Sequence, residues 1–500
     1  MTEPAAMQLP LFDLRDRRAL VLGLGGSGAA MARWAARQGA IVRIADSRAQ
    51  PPGLAGLRAN GLDFAVERTD FDAAVLEGAD LVAWSPGLSI EKGPSGALYA
   101  EAQRRELPVV GELELFSQAI CSLPGDAGPP RVLAVTGTNG KTTVTAMAAA
   151  LCRASGLSAR AAGNIGPSLL EALMEAIDSG DLPQVWVVEL SSFQLALAQR
   201  FTVDAACILN IAEDHLDWHA SLETYADAKH RVHAPGCVAI YNRADPRTTP
   251  RRQLPAVSFG PDEPPGIGDL GIVEDGGIPW LAEAVAADDA PVRRRGAAPE
   301  RRVRRLMPAD ALLLRGAHNH QNALAALALC RAIGVPMARM LHGLRHYRGE
   351  PHRCQLLGVL EGVEYYDDSK GTNVAATVAA IEGIRRPCWL IAGGDGKGQD
   401  FSPLADPVRH GARGVVLIGR DAQRIAESID ATGVEILRAG SLDEAVGMAA
   451  ARARSGEAVL LSPACSSLDM FASYAERGRA FAAALERIAG ERGQPLEASC

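Results

Sequence analysis

Val132-Leu133-Ala134-Val135-Thr136-Gly137-Thr138-Asn139-Gly140-Lys141-Thr142-Thr143 is an apolar, β-branched run that breaks into a glycine-bounded turn and ends in Lys-Thr-Thr. A buried strand that feeds such a turn, with an Ala-rich helical segment (Val144 to Arg153) behind it, grips a nucleoside triphosphate. Gly137 and Gly140 let backbone N–H groups converge on phosphate oxygens, together with the loop residues Thr138, Asn139 and Thr143. Lys141 supplies a point charge and Thr142 offers a hydroxyl to Mg²⁺. The full phosphate-loop template wants glycine at position 135, where this chain has Val135, so the loop is a shortened form. A chance Gly-Lys-Thr in a surface turn is the alternative, and the flanking strand and helix speak against it.

Outward from this loop, short apolar strands alternate with amphipathic helices, the pattern of parallel sheets with crossover helices. Three α/β blocks follow. Residues 1–110 form an N-terminal Rossmann-like domain, with a strand over Ala19 to Leu24 and another over Ile41 to Ala45. Residues 111–348 form a central parallel sheet of the P-loop ATPase kind, with strands Val185 to Leu190 and Ala206 to Ile211 and a closing helix from Asn319 to Ile333. Residues 349–500 form a C-terminal Rossmann-like domain, with strands near Val363 to Tyr366, Cys388 to Ala392, Gly414 to Ile418 and Ala458 to Ser462.

Composition narrows the class. Five hundred residues that are 48% hydrophobic can bury several cores. A net charge of −8 argues against a nucleic-acid or membrane partner. The basic run Arg293 to Arg305, within a Pro/Gly/Ala-rich stretch from Pro261 to Pro308, reads as a solvated surface insertion. No apolar signal segment precedes residue 18, and no charge-free stretch is long enough to span a bilayer. Nine scattered cysteines without a C-x-x-C pair indicate a reducing cytoplasm. The expectation is a monomeric cytoplasmic enzyme acting on small molecules.

Gly23-Leu24-Gly25-Gly26-Ser27-Gly28 follows a strand and opens a helix, and Asp46 ends the next strand, satisfying the dinucleotide fingerprint. Taken alone it favours NAD. A UDP diphosphate meets the same backbone requirement, with Gly25, Gly26 and Ser27 at the phosphates and Asp46, Ser47 and Arg48 at the uridine or its ribose.

The strand from Val185 ends in Glu189, placing a carboxylate at the carboxyl edge beside the phosphate loop, where it can hold Mg²⁺; a buried salt-bridged acid is the bland alternative. The strand Cys207 to Ile211 gives His215 the same edge position. His219, His230 and His233 lie nearby, but their spacing matches no recognised zinc pattern. On residues alone Lys229 reads as a solvated helix lysine. Asn319 and Asn322 share a helix face suited to a planar base. Arg353, at the third block's boundary, is either a surface arginine or one that reaches a γ-phosphate. Strand ends near Asp368-Ser369-Lys370-Gly371-Thr372 and Gly393 to Lys397 carry lysines, and Ser466-Ser467 reads as capping a helix. These three ends make a receptacle for a small dianionic amino acid.

Gly137 to Thr143, Gly163-Asn164-Ile165-Gly166, Glu189-Leu190-Ser191-Ser192-Phe193-Gln194, Glu213-Asp214-His215, His352-Arg353, Asp368 to Asn373 and Ser462 to Asp469 together resemble the Mur ligase family over nearly the whole chain. The resemblance implies an ATP-dependent ligase of peptidoglycan precursor synthesis. ATP phosphorylates the carboxylate of UDP-N-acetylmuramoyl-L-alanine, and the amine of D-glutamate attacks the acyl phosphate. It further implies two Mg²⁺ ions, one on Thr142 and Glu189, the other on His215 and a carbamylated Lys229. Asn164 would contact the muramoyl substrate, Asn319, Asn322 and Asp368 the adenosine, and Arg353 the phosphates. Thr372, Lys397, Ser467 and Tyr474 would hold D-glutamate, with Tyr474 standing where the family often has Phe. A folate-type polyglutamate synthase shares the phosphate loop but has no need of the UDP-type glycine turn. An NAD-dependent dehydrogenase fused to an ATPase, or a regulatory nucleotide-binding module, leaves the amino-acid receptacle or the converging acids without use.

Overall fold

The computed structural model describes residues 13–123, 129–287, 300–314, 316–384, 386–396 and 398–497. Among them, three sheets divide between two compact units. One unit holds the chain up to Ala311 plus Gln321–His346; the other holds Leu312–His320 and the chain from Tyr347 onward.

The first unit begins with a parallel sheet of β1 (Arg18–Leu22), β2 (Ile41–Asp46), β3 (Val66–Arg68), β4 (Leu81–Trp84) and β5 (Val109–Val110), in the order β3-β2-β1-β4-β5. Alternation decides the two faces: Ala19, Val21 and Ile44 enter one core, and Leu20, Leu22, Ala45, Val82 and Trp84 enter another. The first core does not stop at the sheet. Met31 and Trp34 share it with Phe116, Leu173, Met174 and Trp186, so the first two α/β blocks are bound by common apolar burial.

The central sheet comprises β6 (Arg131–Thr136), β7 (Ala159–Gly163), β8 (Val185–Glu189), β9 (Ala205–Ile208), β10 (Val238–Asn242), β11 (Ala256–Phe259), β12 (Leu270–Asp275), β13 (Ile278–Ala286) and β14 (Arg301–Pro308). Its order is β14-β13-β12-β11-β10-β9-β6-β8-β7. The registers Val135↔Glu189, Gly163↔Glu189 and Thr136↔Ile208 bring the carboxyl ends of four parallel strands to one edge.

The structure adds order to the 261–308 stretch, in which Arg301, Arg302, Arg304 and Arg305 are exposed, as a solvated surface insertion requires. Its described part extends the sheet: β12 and β13 pair antiparallel about a Gly276-Gly277 turn, and β14 pairs antiparallel with β13. The basic run is partly consumed by this ladder. Glu283, almost wholly buried on β13, is neutralised by Arg304 at 2.6 Å and by Arg331. Arg293 to Arg295 lie outside the described residues.

In the second unit, β15 (Gln355–Leu360), β16 (Val363–Asp367), β17 (Cys388–Gly393), β18 (Ala412–Ile418), β19 (Glu435–Arg438) and β20 (Ala458–Leu461) are ordered β15-β16-β20-β17-β18-β19. All pairs are parallel except the β15–β16 hairpin. Cores on both faces explain why β17 and β20 read as unbroken apolar runs. Among the described residues no helix is long and apolar enough to cross a membrane.

Candidate active site

The turn after β6 is shaped by its glycines. Gly140 has φ 81° and stands at the N-terminus of the helix Lys141–Ala154; a Cβ there would lie 2.7 Å from Asn322 Oδ1. Left-handed backbone and close approach together demand glycine. Asn322 is thereby placed against the phosphate loop. The Lys141 ammonium donates to Gly137 O at 2.9 Å and Thr138 O at 2.7 Å, which holds it over the loop. Asn210, just past β9, pins the same loop: its Oδ1 accepts from Thr138 N at 3.1 Å and Asn139 N at 2.8 Å, and its Nδ2 donates to Asn139 O at 3.1 Å. Sequence reasoning passed over Asn210, because nothing local marks a polar residue whose partners lie some seventy positions away.

Glu189 is 2% exposed. Its Oε2 accepts from Thr142 Oγ1 at 2.6 Å and its Oε1 from Asn164 Nδ2 at 2.7 Å. The sheet register thus gathers Thr142, Glu189 and Asn164 at one point beside the phosphate loop. A hydroxyl next to a carboxylate is a hard oxygen pair that suits Mg²⁺, an ion that takes few protein ligands and completes its shell with water and phosphate oxygens. No group of three or more His, Cys, Asp or Glu able to hold a metal occurs among the described residues.

Lys229 departs from the residue-level reading. It is 1% exposed, donates to Gly137 O at 2.8 Å and lies 4.4 Å from the centroid of the Tyr225 ring. Burial, reinforced by the nearby Lys141 charge and opposed by Asp214 and Glu189, holds its ammonium well below the ordinary lysine range. The helix Leu222–His230 reads as amphipathic, but the face bearing Lys229 is packed beneath the phosphate loop. Tyr225 itself bonds Thr138 Oγ1 at 3.0 Å.

His215 has φ 55°, a strained conformation for a non-glycine residue, and its ring packs on Phe193 at 4.8 Å. Burial pushes its pKa down, with Asp214 opposing and Lys141 and Lys229 assisting. The other nearby histidines turn elsewhere. His219 bonds Ser192 and Glu91, and His230 bonds Arg247 O at 2.8 Å.

At the N-terminal turn, a Cβ on Gly28 would lie 1.9 Å from Gly23 O, so the helix Gly26–Arg37 can begin this close to the strand only with glycine there. Gly25 and Gly26 have nothing near their Cβ positions, which leaves their side of the turn open. Asp46 accepts from Leu24 N at 2.7 Å, Arg48 N at 2.8 Å and Arg48 Nη2 at 2.7 Å. Burial raises the carboxyl, but these donors outweigh it and hold the pKa at about 2. Asp46 therefore braces the turn through Oδ2 on Leu24 N, while Arg48 holds both of its oxygens in place; Ser47 beside it is exposed.

The remaining candidates belong to the second unit. Asp368 accepts from Ser462 Oγ at 2.7 Å and Cys354 N at 3.1 Å, and burial outweighs these and Arg353 to push its pKa up to about 7. His352 Nδ1 pairs with Asp367 Oδ2 at 2.6 Å, next to a half-buried Arg353. Thr372 follows Lys370, whose ammonium lies 3.9 Å from the centroid of the Tyr474 ring. Ser467 is buried, but it does not cap a helix as expected. Its carbonyl accepts from Met470 and Phe471 in a closed turn, and the helix Tyr474–Glu491 is capped by Ser473 instead. Asp395 and Ser466 exchange backbone bonds of 3.0 and 2.9 Å, joining the loops after β17 and β20. Arg477, 1% exposed, ties Ser369 to Cys465 O and is a second residue that sequence reasoning missed. Asn319 is buried in this unit, and Lys397 lies outside the described residues.

A phosphate loop backed by a hydroxyl paired with a buried carboxylate, on a chain of three α/β sheets, defines a nucleotide-dependent enzyme. Family models agree on which: the Mur ligase MurD-like N-terminal domain matches residues 17–111, the Mur ligase middle domain 135–330, and the Mur ligase glutamate ligase domain 352–465. The chain belongs to the Mur ligase family. It is 53% identical over 496 residues to a UDP-N-acetylmuramoylalanine–D-glutamate ligase of Ralstonia nicotianae, covering 97% of this chain and 99% of that protein. It is 52% identical over 504 residues to the ligase of the same name from Burkholderia mallei, covering 97% and 100%. Solved structures share the fold at low identity. A MurF ligase from Thermotoga maritima in complex with ADP aligns at TM-score 0.55 and 17% identity, covering 96% of this chain and 100% of that one. A UDP-N-acetylmuramate–alanine ligase from the same organism aligns at 0.54 and 20%, covering 95% and 99%.

Proposed function

We propose that this enzyme joins D-glutamate to UDP-N-acetylmuramoyl-L-alanine at the expense of ATP, a cytoplasmic step of peptidoglycan precursor synthesis carried out by a monomer. The convergence of Thr142, Glu189 and Asn164 beside the phosphate loop, in a chain more than half identical to D-glutamate ligases, supports this activity most directly.

A carboxylate is a poor electrophile and repels a triphosphate, so the chain must neutralise, align and dehydrate the pair. Gly137 to Thr143 hold the ATP phosphates through backbone amides, with Lys141 leaving its loop carbonyls to meet the terminal phosphate. Asn322 and Asn319, with Asp368, hold the adenosine, and Arg353 meets the phosphates. Thr142 and Glu189 would hold one Mg²⁺, and His215 and Lys229 would hold a second once the Lys229 amine has added CO₂ and lost a proton to become a carbamate. Bound Mg²⁺ screens the charge between triphosphate and acceptor. Carbamylation requires an unprotonated amine, which the burial of Lys229 favours, and it converts a repelling cation into an anionic ligand. Gly25, Gly26 and Ser27, in the turn braced by Asp46 and Arg48 and flanked by Ser47, bind the UDP diphosphate, and Asn164 the muramoyl group. Thr372, Lys397, Ser467 and Tyr474 orient D-glutamate so that its amine attacks the acyl phosphate, releasing phosphate and leaving an amide.

The test is phosphate release by wild-type protein and Lys141→Ala. Release that requires ATP, UDP-N-acetylmuramoyl-L-alanine and D-glutamate together, and that Lys141→Ala abolishes, is expected. Release independent of the acceptor, or full activity in Lys141→Ala, overturns the proposal.

A further inference from the structure

The segment that carries His215 is clasped by the first α/β block through a residue no role has been given. His219 is 0% exposed, and its two ring nitrogens face different blocks: Nδ1 lies 3.3 Å from Glu91 Oε1 and Nε2 lies 3.0 Å from Ser192 Oγ. A carboxylate only accepts, so Nδ1–H donates to Glu91. With that proton on Nδ1, Nε2 accepts from the Ser192 hydroxyl. Ser192 starts the short helix directly behind Glu189. The second Glu91 oxygen accepts from Ala220 N at 2.8 Å, Ser89 Oγ donates to Trp218 O at 2.8 Å, and Lys92 Nζ donates to Leu216 O. Trp218 N and His219 N in turn donate to His215 O, at 3.1 and 3.0 Å, in the strained residue itself.

The loop that supplies Glu91 begins at the glycine turn. Ser85 and Leu88 are the nearest neighbours of a Cβ on Gly23, at 2.9 and 3.1 Å. The loop is stiffened by Trp84 Nε1 donating to Leu88 O at 3.0 Å and Ser95 Oγ to Ser89 O at 2.8 Å. One braced segment therefore runs from the proposed diphosphate turn to the His215 segment.

We propose that His219 is a positioning residue: through Glu91 and Ser192 it fixes the strained backbone of His215 and registers the first block against the Glu189 strand end. This rests on the ligase reading above. His219 does not touch substrate; it acts through His215.

The test separates hydrogen bonding from packing, since His219 also lies among the Phe193, Trp218 and Tyr225 rings, at 5.8, 4.5 and 5.3 Å. His219→Phe keeps the ring and loses both polar contacts; His219→Gln keeps polar reach and loses the ring. Positioning residues around a metal ligand typically contribute about 10–100-fold in metal affinity or activity. His219→Phe is expected to raise the half-saturating Mg²⁺ concentration on that scale and leave the KM for D-glutamate unchanged, while His219→Gln recovers most of the loss. Independently of turnover, hydrogen exchange at residues 216–220 is expected to accelerate in His219→Phe and in Glu91→Gln, with the amides of 137–143 unchanged. His219→Gln performing worse than His219→Phe, or unaltered exchange at 216–220, overturns the proposal. Should the wild-type protein form no amide, the ligase reading falls, and the exchange comparison still decides the role of His219.

Discussion

Asp46→Asn isolates the brace beneath the N-terminal glycine turn. In the folded protein the carboxyl sits at about 2 against an ordinary 3.8, because Arg48 and two backbone amides outweigh its burial. At ~1.36 kcal/mol per unit, that difference is worth roughly 2 kcal/mol. The folded pKa is depressed, so the contribution is complete above about pH 4 and disappears as pH falls through about 2. At neutral pH, then, Asn should forfeit most of it: its NH₂ faces the Arg48 guanidinium, which drives the side chain out of the position from which Oδ2 accepts from Leu24 N. Because a chain of several domains does not unfold in two states, the readout is local. Exchange of the Leu24 amide should accelerate on the order of 30-fold, as roughly 2 kcal/mol dictates at about 1.4 kcal/mol per decade. The KM for UDP-N-acetylmuramoyl-L-alanine should rise, and that for D-glutamate should not. Leu24 exchange within about twofold of wild type, or an equal rise in both KM values, would refute the brace; an acid that reads a ribose directly, as in the dinucleotide fingerprint, would alter substrate binding without altering exchange.

Other residues give sharper local tests. Asn210→Ala removes three hydrogen bonds to the phosphate loop, each worth ~1 kcal/mol, and should raise the KM for ATP on the order of tenfold or more; an unchanged value in steady-state assays would exonerate Asn210. Asp368 has a raised folded pKa of about 7, so between about pH 4 and 7 the native state keeps a proton that the unfolded chain releases, and stability falls as pH rises through that window. Asp368→Asn should flatten that decline in the local opening free energy read by hydrogen exchange at the Cys354 amide from pH 5 to pH 8, corrected for intrinsic exchange, and an undiminished slope would contradict the assignment. Native mass spectrometry in bicarbonate should find a carbamate on Lys229, and Lys229→Met should lose metal-dependent activity; an unmodified and dispensable lysine would remove it from the site.

The phosphate loop, Glu189 and the order of strands and helices were legible because buried parallel strands read as apolar runs and their ends mark the sheet's functional edge. What escaped depends on burial or on distant partners. Lys229 sits on a helix whose period suggests a solvated lysine, and only the fold covers it. Composition masked the β12–β14 ladder: the stretch is rich in Pro, Gly and Ala, and in β14 arginines interrupt the alternation, one of which, Arg304, neutralises Glu283. The serines after β20 resemble a cap, yet the chain turns once more before Ser473 starts the helix. Asn210, Arg477 and His219 act on backbone or side chains far along the chain, so no local pattern announces them.

The central claim is that a triphosphate activates one particular carboxylate for one particular amine. Incubation with ATP, Mg²⁺ and UDP-N-acetylmuramoyl-L-alanine, followed by product mass determination, tests it directly. The mass of the acceptor plus one glutamyl residue should appear with D-glutamate and be absent with L-glutamate or without ATP. Equal product from L-glutamate, or a product formed without ATP, would contradict the account.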